Sequence, residues 1–300
     1  MNRENARRGL IEMVAAQLIF GTAGWMVVAS GVPVIDMIFW RCVLGAITLT
    51  LVCSAKGLFK KSSITWPQLR LAAAGGVALI SAWLLLFGSL AYASISISTA
   101  VYHTQPFMLV GLGVLLFNER FTRSRMACLV AAFVGMLLIV QGKSGNGLYA
   151  TNYLLGISMA LGAALCYAIV TVLTVRLKVV KPHLIALIQM VVGAALLAPV
   201  TNWVAIPTGL RAWTFIAIFG VVGTGYVYVL LYSAYQKLPT HVIGALAFIY
   251  PVAAVMMDFF ALGHRLQLLQ LFGIGIVLTA AAGMTLGKRF LKPVEASSVS

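Results

Sequence analysis

Ten apolar runs punctuate the chain, each close to the length that crosses a bilayer: about 10–30, 34–54, 67–88, 96–118, 125–141, 153–174, 182–201, 212–234, 240–262 and 267–286. A crossing helix needs about 20 mostly apolar residues. Few folds accommodate such a pattern. Backbone polar groups find no water in hydrocarbon, so spans are helices or a closed barrel. The ten-residue alternation of barrel strands is absent. The expectation is an all-α polytopic membrane protein with ten transmembrane helices. Only 9% of residues are charged, against about 25% in soluble domains.

The net charge of +15 does not call for nucleic acid, because Lys and Arg fill short loops between the runs. With the N-terminus in the cytoplasm, the inner loops collect Arg7, Arg8, Lys60, Lys61, Arg123, Arg125, Lys178 and Lys181, among others. The outer loops hold Lys143, Arg211 and Arg265. This bias predicts a multi-pass protein of the inner (plasma) membrane with both termini cytoplasmic. The first run is too long for a cleaved leader. Cys42, Cys53, Cys128 and Cys166 lack metal-type spacing, and no metal or cofactor is expected.

The runs are duplicated. Tyr102-His103-Thr104-Gln105-Pro106 precedes Glu119-Arg120, and Phe248-Ile249-Tyr250-Pro251 precedes His264-Arg265, with thirteen residues from proline to acid or histidine in both. Arg41-x-x-x-Gly45 is echoed by Gln189-x-x-x-Gly193. Five runs per unit is an odd number, so the units insert with opposite orientation around a central cavity. The predicted organisation is a first repeat at 1–141, a linker at 142–151, a second repeat at 152–287 and a cytoplasmic tail at 288–300.

These paired motifs resemble the drug/metabolite transporter superfamily, specifically its ten-helix EamA-type members. Within it the Tyr102–Phe107 stretch is most similar to the YddG-type aromatic amino-acid exporters. The resemblance implies a basket of ten helices that exports amino acids, aromatic and other neutral ones preferred, by alternating access. The second unit departs from the pattern, with His264 in place of the acid and Gln189 in place of the Arg.

The polar quartet Tyr102 to Gln105 lies inside an apolar run, where unpaired polar groups cost several kcal/mol. Its side chains face other helices or a wet passage. Pro106 removes a backbone donor and frees the Tyr102 carbonyl, so a kink is expected there and, by analogy, at Pro251. Both prolines are candidate gating points. Counting depth at 1.5 Å per residue puts Trp25, Trp83 and Tyr102 in the outer-middle third. It puts Tyr167, Tyr228 and Tyr232 in the inner half, with Tyr250 near the centre. The candidate binding residues are Tyr102, His103, Trp25, Trp83, Tyr167, Tyr250 and Gln105. Rings offer stacking and cation–π attraction, although aromatic stripes also serve packing.

Three charges are assigned structural roles: Arg41, Glu119 and Asp258. Arg41 and Asp258 share a depth that permits pairing, and Arg41 also suits attraction of anions. Glycine-rich stretches such as Gly220 to Gly225 suit close packing or a hinge. Soluble-enzyme signatures and a P-loop are absent, so the chain reads as no enzyme and any uphill movement draws on a gradient. The expected partners are an amino-acid substrate and the lipid bilayer, in a monomer. Three other readings stay open: efflux of amphipathic drugs or cations, an intramembrane enzyme using His103 and Asp258, and a structural membrane partner with no cavity.

Overall fold

The computed structural model describes residues 3–61, 64–90, 92, 93, 95–117, 119, 122–141, 153–204, 206–262 and 267–286. Among them helix is the only regular structure, laid out as ten rods. Rod 1 is α1 (Arg3–Gly21) and α2 (Ala23–Ser30). Rod 2 is α3 (Val34–Ala55), followed by one turn, α4 (Leu58–Lys61). Rod 3 is α5 (Trp66–Ser89), rod 4 is α6 (Ile95–Tyr102) and α7 (Gln105–Phe117), and rod 5 is α8 (Arg123–Gln141). Rod 6 is α9 (Tyr153–Arg176) and rod 7 is α10 (Pro182–Leu197). Rod 8 joins α11 (Leu210–Ile218), a π-helical stretch (Phe219–Tyr226) and α12 (Val227–Lys237). Rod 9 is α13 (Thr240–Ala247) and α14 (Ile249–Leu262), and rod 10 is α15 (Leu268–Leu286).

The outer surface is apolar: Leu115, Leu154 and Phe260 are 77%, 80% and 73% exposed. Such side chains are a liability in water and the surface a bilayer requires. The protein is thus an all-α polytopic membrane protein built as two inverted five-rod repeats. Packing partners correspond between them. Rod 3 packs on rod 6 as rod 8 packs on rod 1, and rod 4 packs on rod 6 as rod 9 packs on rod 1. Rods 2 and 7, 4 and 9, and 5 and 10 pair like with like. Exchanging the halves leaves this pattern unchanged, as inverted repeats require. The expected linker 142–151 and tail 288–300 lie outside the described residues, as do Lys143, His264 and Arg265.

Four rods are interrupted, each for a local reason. Rod 1 breaks at Thr22, whose hydroxyl donates to the Ile19 carbonyl at 2.7 Å. Rod 4 breaks at His103-Thr104, where the Thr104 hydroxyl donates to the Val101 carbonyl at 2.7 Å. Pro106 then falls in the first turn of α7, where its missing N–H is needed by no carbonyl. Rod 9 repeats the device, with Phe248 at the break and Pro251 in the first turn of α14. Rod 8 carries its irregularity as the π-helical stretch, which begins beside Gly220 and holds Gly223 and Gly225.

At the end of the bundle bearing the basic loops, two polar clamps join the repeats. Glu12 on α1 meets Lys237 on α12, and Glu119 meets Thr240 and His241 at the start of α13. At the opposite end, Asp36 accepts the Asn202 N–H at 3.0 Å.

Candidate functional site

A cavity of about 140 Å³ lies at the centre of the bundle. The interrupted rods supply most of its wall. Gln17, Phe20 and Ala23 come from rod 1, Tyr102, His103 and Gln105 from rod 4, Phe219 and Tyr228 from rod 8, and Ala247 and Tyr250 from rod 9. The unbroken rods 2, 3 and 6 add Arg41, Trp83, Leu86, Phe87 and Tyr167. Irregular backbone at mid-membrane is tolerated where it lines such a space. The wall is drawn from both repeats.

His103 is buried, and its Nδ1 lies 2.8 Å from the Thr99 carbonyl oxygen of its own helix. Nδ1 therefore carries a proton, which in the neutral ring leaves Nε2 as an acceptor. The imidazole stacks on Tyr250, centroids 5.7 Å apart at 23°, and stands edge-on to Tyr102 at 5.6 Å. Tyr102 in turn meets Tyr167 at 6.1 Å. Across the cavity, Trp83 meets Tyr228 edge-on at 6.0 Å.

Among the described residues of this wall, Arg41 is the one permanent charge. Its Cζ lies 3.7 Å from the Trp83 ring centroid and 4.5 Å from that of Phe219. A side chain on Gly220 would meet Leu44 and the Arg41 backbone. The glycine thus lets the π-helical stretch of rod 8 approach α3 and bring Phe219 onto the guanidinium. Arg41 is 5% exposed, and its Nε has no hydrogen-bond partner among the described residues.

The EamA-like transporter family model matches residues 7–141 and again 154–286. The chain belongs to the EamA-like transporter family. It is 28% identical over 281 residues to the uncharacterized transporter YxxF of Bacillus subtilis (strain 168), covering 93% of this chain and 90% of that one. It is 26% identical over 223 residues to the threonine/homoserine exporter RhtA of Escherichia coli (strain K12), covering 71% and 70%. A solved crystal structure superposes with a TM-score of 0.83 at 18% identity, over 95% of this chain and 99% of that one.

Of the residues singled out in this transporter's sequence, Tyr102, His103, Gln105, Trp83, Tyr167 and Tyr250 all line the cavity. Trp25 stands on α2 edge-on to Phe215 at 5.4 Å and is not in the wall. Pro106 and Pro251 sit beside the two breaks, and Pro106 packs against Gly244 of rod 9. Glu119 reaches Thr240 and His241, and Arg120 and the Asp258 side chain lie outside the described residues. The depth count separated Trp83 from Tyr228 and Tyr102 from Tyr167, yet both pairs meet. Counting at constant rise assumes straight rods, and one rod of each pair, rod 8 or rod 4, is interrupted.

Gln17, Phe20, Phe219 and Tyr228 join the wall without having been singled out as binding residues. Tyr228 shares a helical face with Tyr232 and Tyr235, and all three are fully buried. That spacing was the available signal. Phe219 had none, because its position depends on the π-helical stretch.

Proposed function

We propose that this transporter exports neutral amino acids, aromatic ones among them, from the cytoplasm by alternating access of its two repeats. The observation that carries the reading is the central cavity, where the rings of Tyr102, Tyr167, Tyr250 and Trp83 surround a few polar groups. Aromatic faces accept apolar side chains by stacking and an ammonium group by cation–π attraction. His103 and Gln105 supply directional hydrogen bonds. The description of RhtA as a threonine/homoserine exporter supports amino acids as cargo. The basic loops support a cytoplasmic placement of the end that carries them, in the inner (plasma) membrane.

In this reading the Glu12–Lys237 and Glu119–Thr240 clamps hold the cytoplasmic end together and separate when the repeats rock. The breaks beside Pro106 and Pro251 act as the bending points. The test is counterflow of labelled phenylalanine, tryptophan and threonine in liposomes carrying the purified protein. Flux above protein-free vesicles is expected, with Tyr102→Ala and Tyr250→Ala reducing it. Flux confined to quaternary ammonium compounds, or none at all, overturns the proposal.

A further inference from the structure

We propose that Arg41 is the specificity-determining residue of the cavity, its guanidinium receiving the α-carboxylate of the transported amino acid, so that cargo must carry a free carboxylate. The inference deepens the amino-acid reading above and rests on it.

Arg41 is a buried cation held against two rings, with no carboxylate against it among the described side chains. Three described carboxylates are engaged elsewhere. Glu12 meets Lys237 and Arg8, Asp36 meets the Asn202 backbone, and Glu119 meets Thr240 and His241. Cation–π contact offsets only part of the cost of burying a charge. Its Nε–H is itself sealed from the cavity and has no partner among the described residues, which leaves the buried charge under-compensated, and an anion bound on the cavity side of the guanidinium would offset that. A guanidinium presents its donors in a fixed fork that matches a carboxylate. Trp83 and Phe219 restrict that fork's movement, which lowers the ordering cost of binding.

The rest of the wall agrees with a zwitterion. The other polar groups, Gln17, Gln105, His103 and the tyrosines, include no acid. A cargo bearing only a positive charge would meet Arg41 with no acid among the described wall residues to offset the repulsion. A zwitterion places its carboxylate on Arg41 and its ammonium toward ring faces and amide oxygens.

The experiment compares phenylalanine, phenylalaninamide and N-acetylphenylalanine as competitors of phenylalanine counterflow in proteoliposomes. The wild-type protein is expected to prefer phenylalanine over its amide by about 10- to 100-fold, the range of charge-assisted hydrogen bonds. Arg41→Gln is expected to erase that ratio and Arg41→Lys to leave an intermediate one. Calorimetric titration of N-acetylphenylalanine into the detergent-solubilised protein reads the same site without transport, and there Arg41→Gln should lose the binding. Equal competition by acid and amide in a wild-type protein that exchanges phenylalanine overturns the role of Arg41 and leaves the transport reading intact. Titration that depends on both the carboxylate and Arg41, in a protein without flux, sustains the site and removes the export reading. An unchanged acid-to-amide ratio in a folded Arg41→Gln protein also overturns it.

Discussion

Lys237 Nζ lies 2.6 Å from both carboxylate oxygens of Glu12, tying rod 1 of the first repeat to rod 8 of the second. Ser233 completes the ammonium's partners at 2.7 Å. Arg8 also reaches Glu12, but its side chain is 74% exposed and such surface pairs contribute little. Replacing Glu12 by Gln strands a largely buried ammonium, which costs about 3 kcal/mol when a buried pair is broken. Reversible unfolding in mixed micelles should show that loss, and the charge swap Glu12→Lys with Lys237→Glu should recover part of it. Equal stability of Glu12→Gln and wild type would remove the clamp from the account.

Glu119 is the counterpart at the rod 4–rod 9 crossing. Its Oε1 accepts the Thr240 N–H at 3.1 Å and its Oε2 the Thr240 hydroxyl at 2.7 Å, at the start of α13, where an anion also meets the favourable end of the helix dipole. Burial pushes its carboxyl upward, and the hydrogen bonds from His241 and Thr240 more than offset this, leaving it below its ordinary value of 4.5. A carboxyl lowered by folding stabilises the fold above its ordinary value and loses that contribution as pH falls through the lowered one. Wild type should therefore exceed Glu119→Gln by about 1–2 kcal/mol near neutrality, with the gap closing below pH 4.5. A gap unchanged at strongly acid pH would contradict the assignment.

Rods 5 and 10 cross at two glycines. A Cβ on Gly273 would meet the Gly135 carbonyl oxygen at 2.5 Å, and one on Gly135 would meet the Gly273 carbonyl oxygen at 2.8 Å. Backbone cannot rotate aside, so either Ala substitution forces the helices apart at a cost of about 1–3 kcal/mol. Gly275, two residues along the same helix, has nothing within 4 Å of its would-be Cβ. Gly275→Ala should be neutral or stabilising by up to about 1 kcal/mol. Unfolding of the three variants side by side separates close packing from helix propensity.

Trp83 contributes to the cavity through Arg41. Its ring lies under the guanidinium at 3.7 Å and edge-on to Tyr228. Trp83→Ala should lower amino-acid exchange by about tenfold or more, since a desolvated cation–π contact contributes about 2 kcal/mol. Trp83→Phe should retain part of the rate. Equal rates in all three proteins would show that the ring does not position the guanidinium.

How far the sequence led depends on which physical signal each feature leaves. The ten rods were legible because a bilayer demands a fixed apolar length, and the paired breaks because a proline inside an apolar run marks an interrupted helix. Six cavity residues were legible because a polar side chain or amphipathic ring at mid-membrane needs a wet or polar neighbour. The meeting of Trp83 with Tyr228 was not, since it follows from breaks whose angles no residue pattern encodes. Gly220 to Gly225 raised the possibility of a hinge, but the same letters describe ordinary close packing, and the π-helical turn that carries Phe219 to Arg41 was not foreseen.

The position that mirrors Arg41 carries an amide instead of a cation. Gln189 on α10 is fully buried, its Oε1 accepting the Tyr232 hydroxyl and its Nε2 lying where a side chain on Gly75 would stand. The repeats thus use equivalent positions differently: one reaches the cavity as a cation, and the other is sealed in packing as an amide. Tyr232→Phe strands the Gln189 oxygen and should cost about 1–3 kcal/mol, the penalty of an unsatisfied buried acceptor. Adding Gln189→Leu removes the stranded group and should restore most of the stability, because replacing both partners of a buried bond is nearly neutral. Neither protein should alter the preference for acid over amide, since Gln189 is absent from the cavity wall. Loss of that preference in Tyr232→Phe with unchanged stability would mean that the tyrosine serves the cargo rather than the fold.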